Sequence, residues 1–261
     1  MKKLKLALVG CGFLGNIVAE AWQRGLLPEY RLVGGLSGSA DSTRAFAQKF
    51  GCTACASLDE LLALQPDYVV EAASPGVVRD ITEPVLRAGA SLILLSIGAL
   101  ADTGFRTRVE ACARATGQRV HLASGAIGGF DVLRTTALMS SIEASITTEK
   151  GPASLRNTPV FSEDLLKATD KREVFAGNAR DAIGLFPTKV NVAVAAALAT
   201  AGVDATRVSI NSVPGFKGDD HRIEVKGEEV HAVVDIHSRT SAIAGWSVVA
   251  LLRNLVAPIA F

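Results

Sequence analysis

The stretch Lys5–Gly15, KLALVGCGFLG, decides how the first half of the chain folds. A short apolar run of strand character ends in glycine. The glycines at 10, 12 and 15 then give the spacing G-x-G-x-x-G. A helix pattern follows from about Leu14 to Arg24. Strand, glycine turn and helix in that order are the context a dinucleotide pyrophosphate needs. Gly10 permits the tight turn, Gly12 lets the backbone approach the phosphates, and Gly15 lets the helix pack against the strand. The start of the helix adds N–H donors and the positive end of its dipole. Gly10, Gly12, Phe13, Leu14 and Gly15 are therefore the expected phosphate cradle.

Outward from this turn the pattern repeats. YRLVGGLS (30–37), DYVVEAAS (67–74), SLILLSIGA (91–99) and RVHLASG (119–125) read as buried strands. DSTRAFAQKFG (41–51), PGVVRDITEPVLRAG (75–89) and TGFRTRVEACARATG (103–117) read as the helices between them. Asp41 is the expected cap of the first of these, with Gly51 beyond its end. Strands apolar on both faces and separated by helices indicate a parallel sheet covered on both sides. The expected fold is α/β, a doubly wound parallel sheet of the Rossmann type over residues 1–124.

The pattern changes near residue 125. SGAIGGFDVLRTTALM (124–139) is a glycine-rich turn running into a helix, and EASITTEKG (143–151) alternates like an exposed strand. A polar stretch covers roughly 155–186, and a helix is expected just after Pro187. TRVSINSVP, HRIEVKG and EVHAVVDIHS then read as three strands of an antiparallel sheet. Residues 125–239 form a second, smaller α+β domain on this reading. The amphipathic segment TSAIAGWSVVALLRNL, within 240–261, is expected to return to the first domain, capped by Thr240 or Ser241.

Composition narrows the function. The 261 residues carry 27 basic and 26 acidic side chains, so nothing attracts a polyanion over a long range and nucleic acid is not an expected partner. The longest apolar segment, Val190–Gly202, is too short for the ~20 residues a bilayer span needs, so no membrane is expected. The apolar run within MKKLKLALVGCG is only a few residues and ends in glycines rather than a small-residue cleavage site, which points to a cytoplasmic protein. Of the four cysteines, Cys52 and Cys55 form a lone C-x-x-C with no second pair, so no metal is expected.

At the end of the second strand, GGLSGSADSTR (34–44) lacks the acid that usually holds a ribose 2′-hydroxyl. Ser37, Ser39 and Arg44 can instead meet a 2′-phosphate, so NAD or NADP is the expected cofactor. The strand ends at Ala72–Ser74 and Ser96–Leu100 are expected to line the groove, Ala73 by its backbone and Ser74 by its hydroxyl.

Four motifs occur in order: LASGAIGGFDVLRT, FAGNARDAIGLFPTKVNVAVAAALA, DDHRIEVKG and SRTSAIAGWSVVALLRNL. Together they resemble the L-aspartate dehydrogenase family over nearly the whole chain. The resemblance implies an NAD(P)-dependent oxidoreductase interconverting L-aspartate with oxaloacetate and ammonia through iminoaspartate, which feeds NAD biosynthesis. It also implies a homodimer. It places the acid–base group on His221 and nicotinamide contacts on Ala126 and Asn191. HSRTS stands where the family has NPKTS, so Arg239 takes the lysine position, and Pro75 follows EAAS where the family often has a polar group.

The residues agree with that chemistry. Histidine titrates near neutrality, and Asp219 or Asp220 can orient His221 or raise its pKa. Asn191 lies in an otherwise apolar helix pattern and needs a partner. A dicarboxylate needs cations or N–H donors, for which Arg239, Thr240 and Ser241 are the leading candidates, with Arg222 and Lys189 also in the segment. His121, His231 and His237 read as structural. Two competing readings share the layout: an enzyme like homoserine dehydrogenase or dihydrodipicolinate reductase, and a non-catalytic dinucleotide sensor.

Overall fold

The computed structural model describes residues 3–187 and 190–261. The chain divides into two compact units. One runs through Gly125 and takes in Ala244–Phe261; the other is Ala126–Ile243.

In the first unit the elements alternate: β1 (Leu4–Val9), α1 (Phe13–Gln23), β2 (Tyr30–Leu36), α2 (Ala40–Phe50), β3 (Thr53–Ala54), α3 (Leu58–Ala63), β4 (Tyr68–Glu71), α4 (Pro75–Arg87), β5 (Ser91–Leu94), α5 (Thr103–Thr116) and β6 (Val120–Leu122). The six strands are parallel in the order β3-β2-β1-β4-β5-β6. Chain direction across the sheet therefore reverses between β1 and β4, the switch point where doubly wound sheets bind ligands. Leu6, Leu8, Val70 and Ile93 are fully buried, as continuous apolar strands between two helical layers must be.

The last helix, α10 (Ala242–Val256), contributes Val248, Val249 and Leu252 to the core that holds Leu6, Val18 and Val70. Two contacts fix it. The buried Tyr30 hydroxyl donates 2.8 Å to the Leu252 carbonyl. Gly245 lies so close to α1 that an added Cβ would stand 2.9 Å from the Cβ of Ile17.

The second unit holds α6 (Phe130–Met139), β7 (Glu143–Lys150), α7 (Glu163–Lys167), β8 (Arg172–Asn178), α8 (Ala179–Leu185), α9 (Asn191–Leu198), β9 (Arg207–Ser212), β10 (Asp219–Lys226) and β11 (His231–Ser238). Its sheet runs β11-β10-β7-β9-β8 and is mixed. The sequence suggested that the last three strands form an antiparallel set. In fact β7 lies between β9 and β10, parallel to the first and antiparallel to the second. The reason is β7 itself. Its alternate residues Ala144, Ile146, Thr148 and Lys150 are buried, so it has a covered face and serves as a central strand, not an exposed one. β8 fell in the stretch read as polar. Its alternation is weak, with Arg172, Glu173, Ala176 and Gly177 all exposed.

Two further details differ from expectation. Ser39, not Asp41, caps α2, because its hydroxyl accepts from the Ser42 amide, while Asp41 sits in the first turn. Asn191 is the first residue of α9 and not an interior one, because Val190 has non-helical torsions.

Removing the Tyr30 hydroxyl tests the attachment of α10. A Tyr30→Phe variant should lose roughly 1 kcal/mol of stability, the net worth of one hydrogen bond, seen as a lower denaturant midpoint with unchanged slope.

Candidate active site

At the switch point of the first unit the glycine turn is held against the end of β4. Gly10 has φ +106° and lies so close to Ala72 that an added Cβ would stand 2.4 Å from the Ala72 carbonyl oxygen. Gly15 meets the Gly10 carbonyl in the same way, at 2.0 Å. Neither position tolerates a side chain. Gly12 is different: nothing lies within 4 Å of its missing Cβ, and its backbone is extended. It caps α1 without any side-chain hydrogen bond, so the first-turn amides of that helix are open to a ligand. Asn16 braces the turn by donating its side-chain amide to the carbonyls of Cys11 and Gly12. A tight turn, an open Gly12 and a bare helix start fit a pyrophosphate. Phe13, 61% exposed, flanks it, while Leu14 packs into the core edge.

The residues at the neighbouring strand ends are partly engaged. The Ala73 amide donates 2.7 Å to Oε1 of Glu71, and the Ser96 amide donates 3.0 Å to Oε2. Ala73 thus has its carbonyl, and not its N–H, to offer. The Ser74 hydroxyl caps α4 by accepting from the Val77 amide. Glu71 is fully buried, and burial raises its carboxyl above the usual range despite these bonds. It ties the ends of β4 and β5 together. The sequence signal was present, an acid in the otherwise apolar strand YVVE, and went unused.

Ser37 follows β2 and is half-buried; no acid stands at that strand end. Arg44, the cation considered for a 2′-phosphate, is ion-paired with Asp41. The thiols nearby are not reactive: burial pushes Cys11 up to about 12 and Cys52 up to about 11, and all four cysteines are free. Among the described residues no group of His, Cys, Asp and Glu is arranged to hold a metal, and no helix is long and apolar enough to cross a membrane.

In the second unit His221 lies on β10 and is 2% exposed. It pairs across to Thr148 of β7, whose Oγ1 lies 3.0 Å from Nδ1. The neighbouring acids do not orient it as expected. Asp219 binds Lys150, and Asp220 binds Nδ1 of His237 at 2.7 Å and accepts from the Ser238 amide. The net shift is also opposite to the one anticipated. Burial, helped by the Lys150 ammonium and opposed by Asp219 and Asp220, pushes His221 down to about 4. The ring is neutral at pH 7. Thr148 and Lys150 were missed, although both fall in phase with buried Ala144 and Ile146.

Gly218, at φ +125°, brings the His221 strand against the 238–241 segment. An added Cβ there would stand 2.0 Å from the Ser238 carbonyl oxygen. Arg239, Thr240 and Ser241 are exposed beside it. The Thr240 hydroxyl accepts from the Ala242 amide at the start of α10, and Arg239 has no hydrogen-bond or ion-pair partner among the described residues. Arg222 is paired with Asp235, and Lys189 lies outside the described residues. Ala126 sits in the half-buried loop before α6, and Asn191 opens α9.

Comparison with known proteins bears on both units. Residues 131–255 match the family described as aspartate dehydrogenase, C-terminal. Residues 10–123 match homoserine dehydrogenase, NAD binding domain. The chain is 31% identical to an L-aspartate dehydrogenase of Methanocaldococcus jannaschii, covering 98% of each. It belongs to the L-aspartate dehydrogenase family. An L-aspartate dehydrogenase 2 of Bordetella bronchiseptica is 33% identical over 97% of both chains. The crystal structure of aspartate dehydrogenase from Thermotoga maritima superposes with a TM-score of 0.80 at 25% identity, covering 99% of each chain. The cofactor is a nicotinamide dinucleotide, NAD or NADP.

Two outcomes follow. Gly12→Ala should melt like the unmodified protein, since the added methyl meets nothing. Its affinity for NADH or NADPH, followed by nicotinamide fluorescence, should fall about tenfold or more, equivalent to roughly 1.4 kcal/mol. The depressed His221 also sets a pH dependence. An unfolded chain takes up this proton near pH 6.5 and the folded chain only near 4, so stability present above 6.5 is lost as pH falls between them. Denaturant midpoints at pH 7.5 and 5 should converge less for the unmodified protein than for His221→Gln, which lacks that drop.

Proposed function

We propose that the protein oxidises L-aspartate to iminoaspartate, and hence to oxaloacetate and ammonia, with NAD or NADP, and catalyses the reverse. The carrying observation is His221: a buried, neutral imidazole within the family motif DDHRIEVKG, on a chain that also holds a complete dinucleotide cradle. The bound NAD(P) supplies hydride acceptance at its nicotinamide ring.

The chain's own groups do the rest. Nδ1 of His221 is hydrogen-bonded to the Thr148 hydroxyl; in the tautomer this reading takes, Nδ1–H donates and Nε2 carries the free lone pair. It takes the proton released as the substrate amine becomes an imine. After water adds at C2, the same imidazolium returns a proton to the departing ammonia. A pKa near 4 makes the ring a weak base in the free protein. Two substrate carboxylates nearby favour the imidazolium and raise its basicity, so proton uptake is tied to occupancy. Arg239, unpaired among the described residues, presents its fork to one carboxylate, with Thr240 and Ser241 beside it. Ser37, Ser74, Ala73, Ala126 and Asn191 complete the cofactor contacts in this reading. Ser37 takes the ribose side, Ala73 and Ser74 line the cofactor groove, and Ala126 and Asn191 are the nicotinamide contacts.

Homoserine dehydrogenase-like chemistry is disfavoured because the second unit, which supplies the substrate side, matches the aspartate family. A pure sensor has no use for a buried neutral imidazole. The protein works as a homodimer in this reading, supported by the open edges of the second sheet at β11 and β8. Four free cysteines support a reducing, cytoplasmic setting.

L-Aspartate with NAD⁺ or NADP⁺ should generate reduced nicotinamide absorbance, and oxaloacetate with ammonium should consume it; turnover of L-homoserine alone would reject the assignment. His221→Ala should keep cofactor affinity and lose about 10²- to 10⁴-fold in kcat, the usual share of one acid–base group.

A further inference from the structure

His221 has charged company in its sheet. Across β7, β10 and β11 the register sets Asp219 opposite both Lys150 and Ser238, and His221 opposite both Thr148 and Ile236. Across β7 and β9, Lys150 stands beside Ser212 and Thr148 beside Ile210. Strand alternation puts His221, Asp219, Thr148, Lys150 and Ser212 on one face. Lys150 is 6% exposed, and its ammonium is ion-paired with Asp219. The buried Ser212 hydroxyl has no hydrogen-bond partner among the described residues. The pair is only partly buried, with the Asp219 side chain 38% exposed, so it adds little net stability. The ammonium end lies away from water, so its effect on a neighbouring imidazole is weakly screened.

We propose that Lys150 is a positioning residue for the reaction: its ammonium, tethered by Asp219, keeps the His221 ring neutral with Nδ1 on Thr148 and the Nε2 lone pair free. The inference rests on His221 being the acid–base group. The charges acting on the ring come from three residues: Lys150 of β7 disfavours the imidazolium, while Asp219 and Asp220 of β10 favour it. β9 brings only Ile210 and Ser212 to its side of the row. On β11, Asp235 and His237 alternate with Ile236 and so lie on the opposite face. α6, which packs on β10 and β11, carries Asp131 and Arg134, both exposed. Burial is the largest influence and Lys150 the next, which is why the ammonium and not the two acids sets the direction.

The test is an NMR titration of the His221 ring in the whole protein, its signal assigned by its loss in His221→Ala, beside pH profiles of kcat/KM for L-aspartate. In Lys150→Met the His221 midpoint should rise by roughly one pH unit, and the acid limb of the profile should move up with it. Lys150→Arg should keep both near their original positions. Lys150→Gln, which removes the charge and keeps a polar end for Asp219, should raise the midpoint likewise and serves if Lys150→Met does not fold. An unmoved midpoint in Lys150→Met, or in Lys150→Gln where the first does not fold, overturns the role of Lys150. Near-normal turnover in His221→Ala overturns the acid–base assignment itself, whatever the titration shows.

Discussion

The close approach of Gly10 to the Ala72 carbonyl fixes the first unit. It brings the turn after β1 against the end of β4, at the one place in the sheet where chain direction switches. A side chain at Gly10 would push the two strand ends apart, and Gly15 would then lose its seat on the Gly10 carbonyl. The open Gly12 depends on both. Only because its neighbours are locked does its backbone stay extended with a free face toward a ligand. Glu71 works from below the same junction, joining the amides after β4 and β5 through one carboxylate. A carboxylate this deep is stabilised only by such bonds, so the loops and the acid hold one another in place.

The second unit is governed by register rather than by close approach. Moving β10 by one residue against β7 would turn His221 to the outer face and Asp220 inward. The pairing of Asp219 with Lys150 opposes such a slip, because it would leave an ammonium buried without its counter-charge. The outer face has its own ties, Arg222 to Asp235 and Asp220 to His237. Each aspartate of the DD pair is thus committed to a different face of the sheet.

The parallel sheet was legible because its strands are continuous apolar runs between helices, a local pattern. The return of α10 was legible from its amphipathic period. The order of strands in the second sheet was not. β7 and β10 lie about 70 positions apart, and nothing local in EASITTEKG says that its partners are one parallel and one antiparallel strand. For the same reason Lys150 stayed hidden. Its phase with Ala144 and Ile146 can be read from the sequence, but its partner Asp219 lies 69 residues away. His221 could be singled out by its motif, and its phase with Ile223 and Val225 is visible in HRIEVK. The sign of its pKa shift was not, because the adjacent DD suggested a raised value while burial and a distant lysine lower it.

The same separation of charges bears on the cofactor. An acid at the end of β2 would hold a ribose 2′-hydroxyl and repel a 2′-phosphate. Here Leu36 is followed by Ser37, Gly38 and Ser39, and the nearest acid, Asp41, lies in the first turn of α2 and is paired with Arg44. Arg44 for its part is held by that acid and does not present a free fork. The strand end therefore presents the hydroxyls of Ser37 and Ser39 with no acid directly beside them. If the ribose sits here, selectivity between NAD and NADP turns on an exposed pair worth no more than ~1 kcal/mol: freeing the arginine favours the phosphate, and freeing the acid favours the hydroxyl.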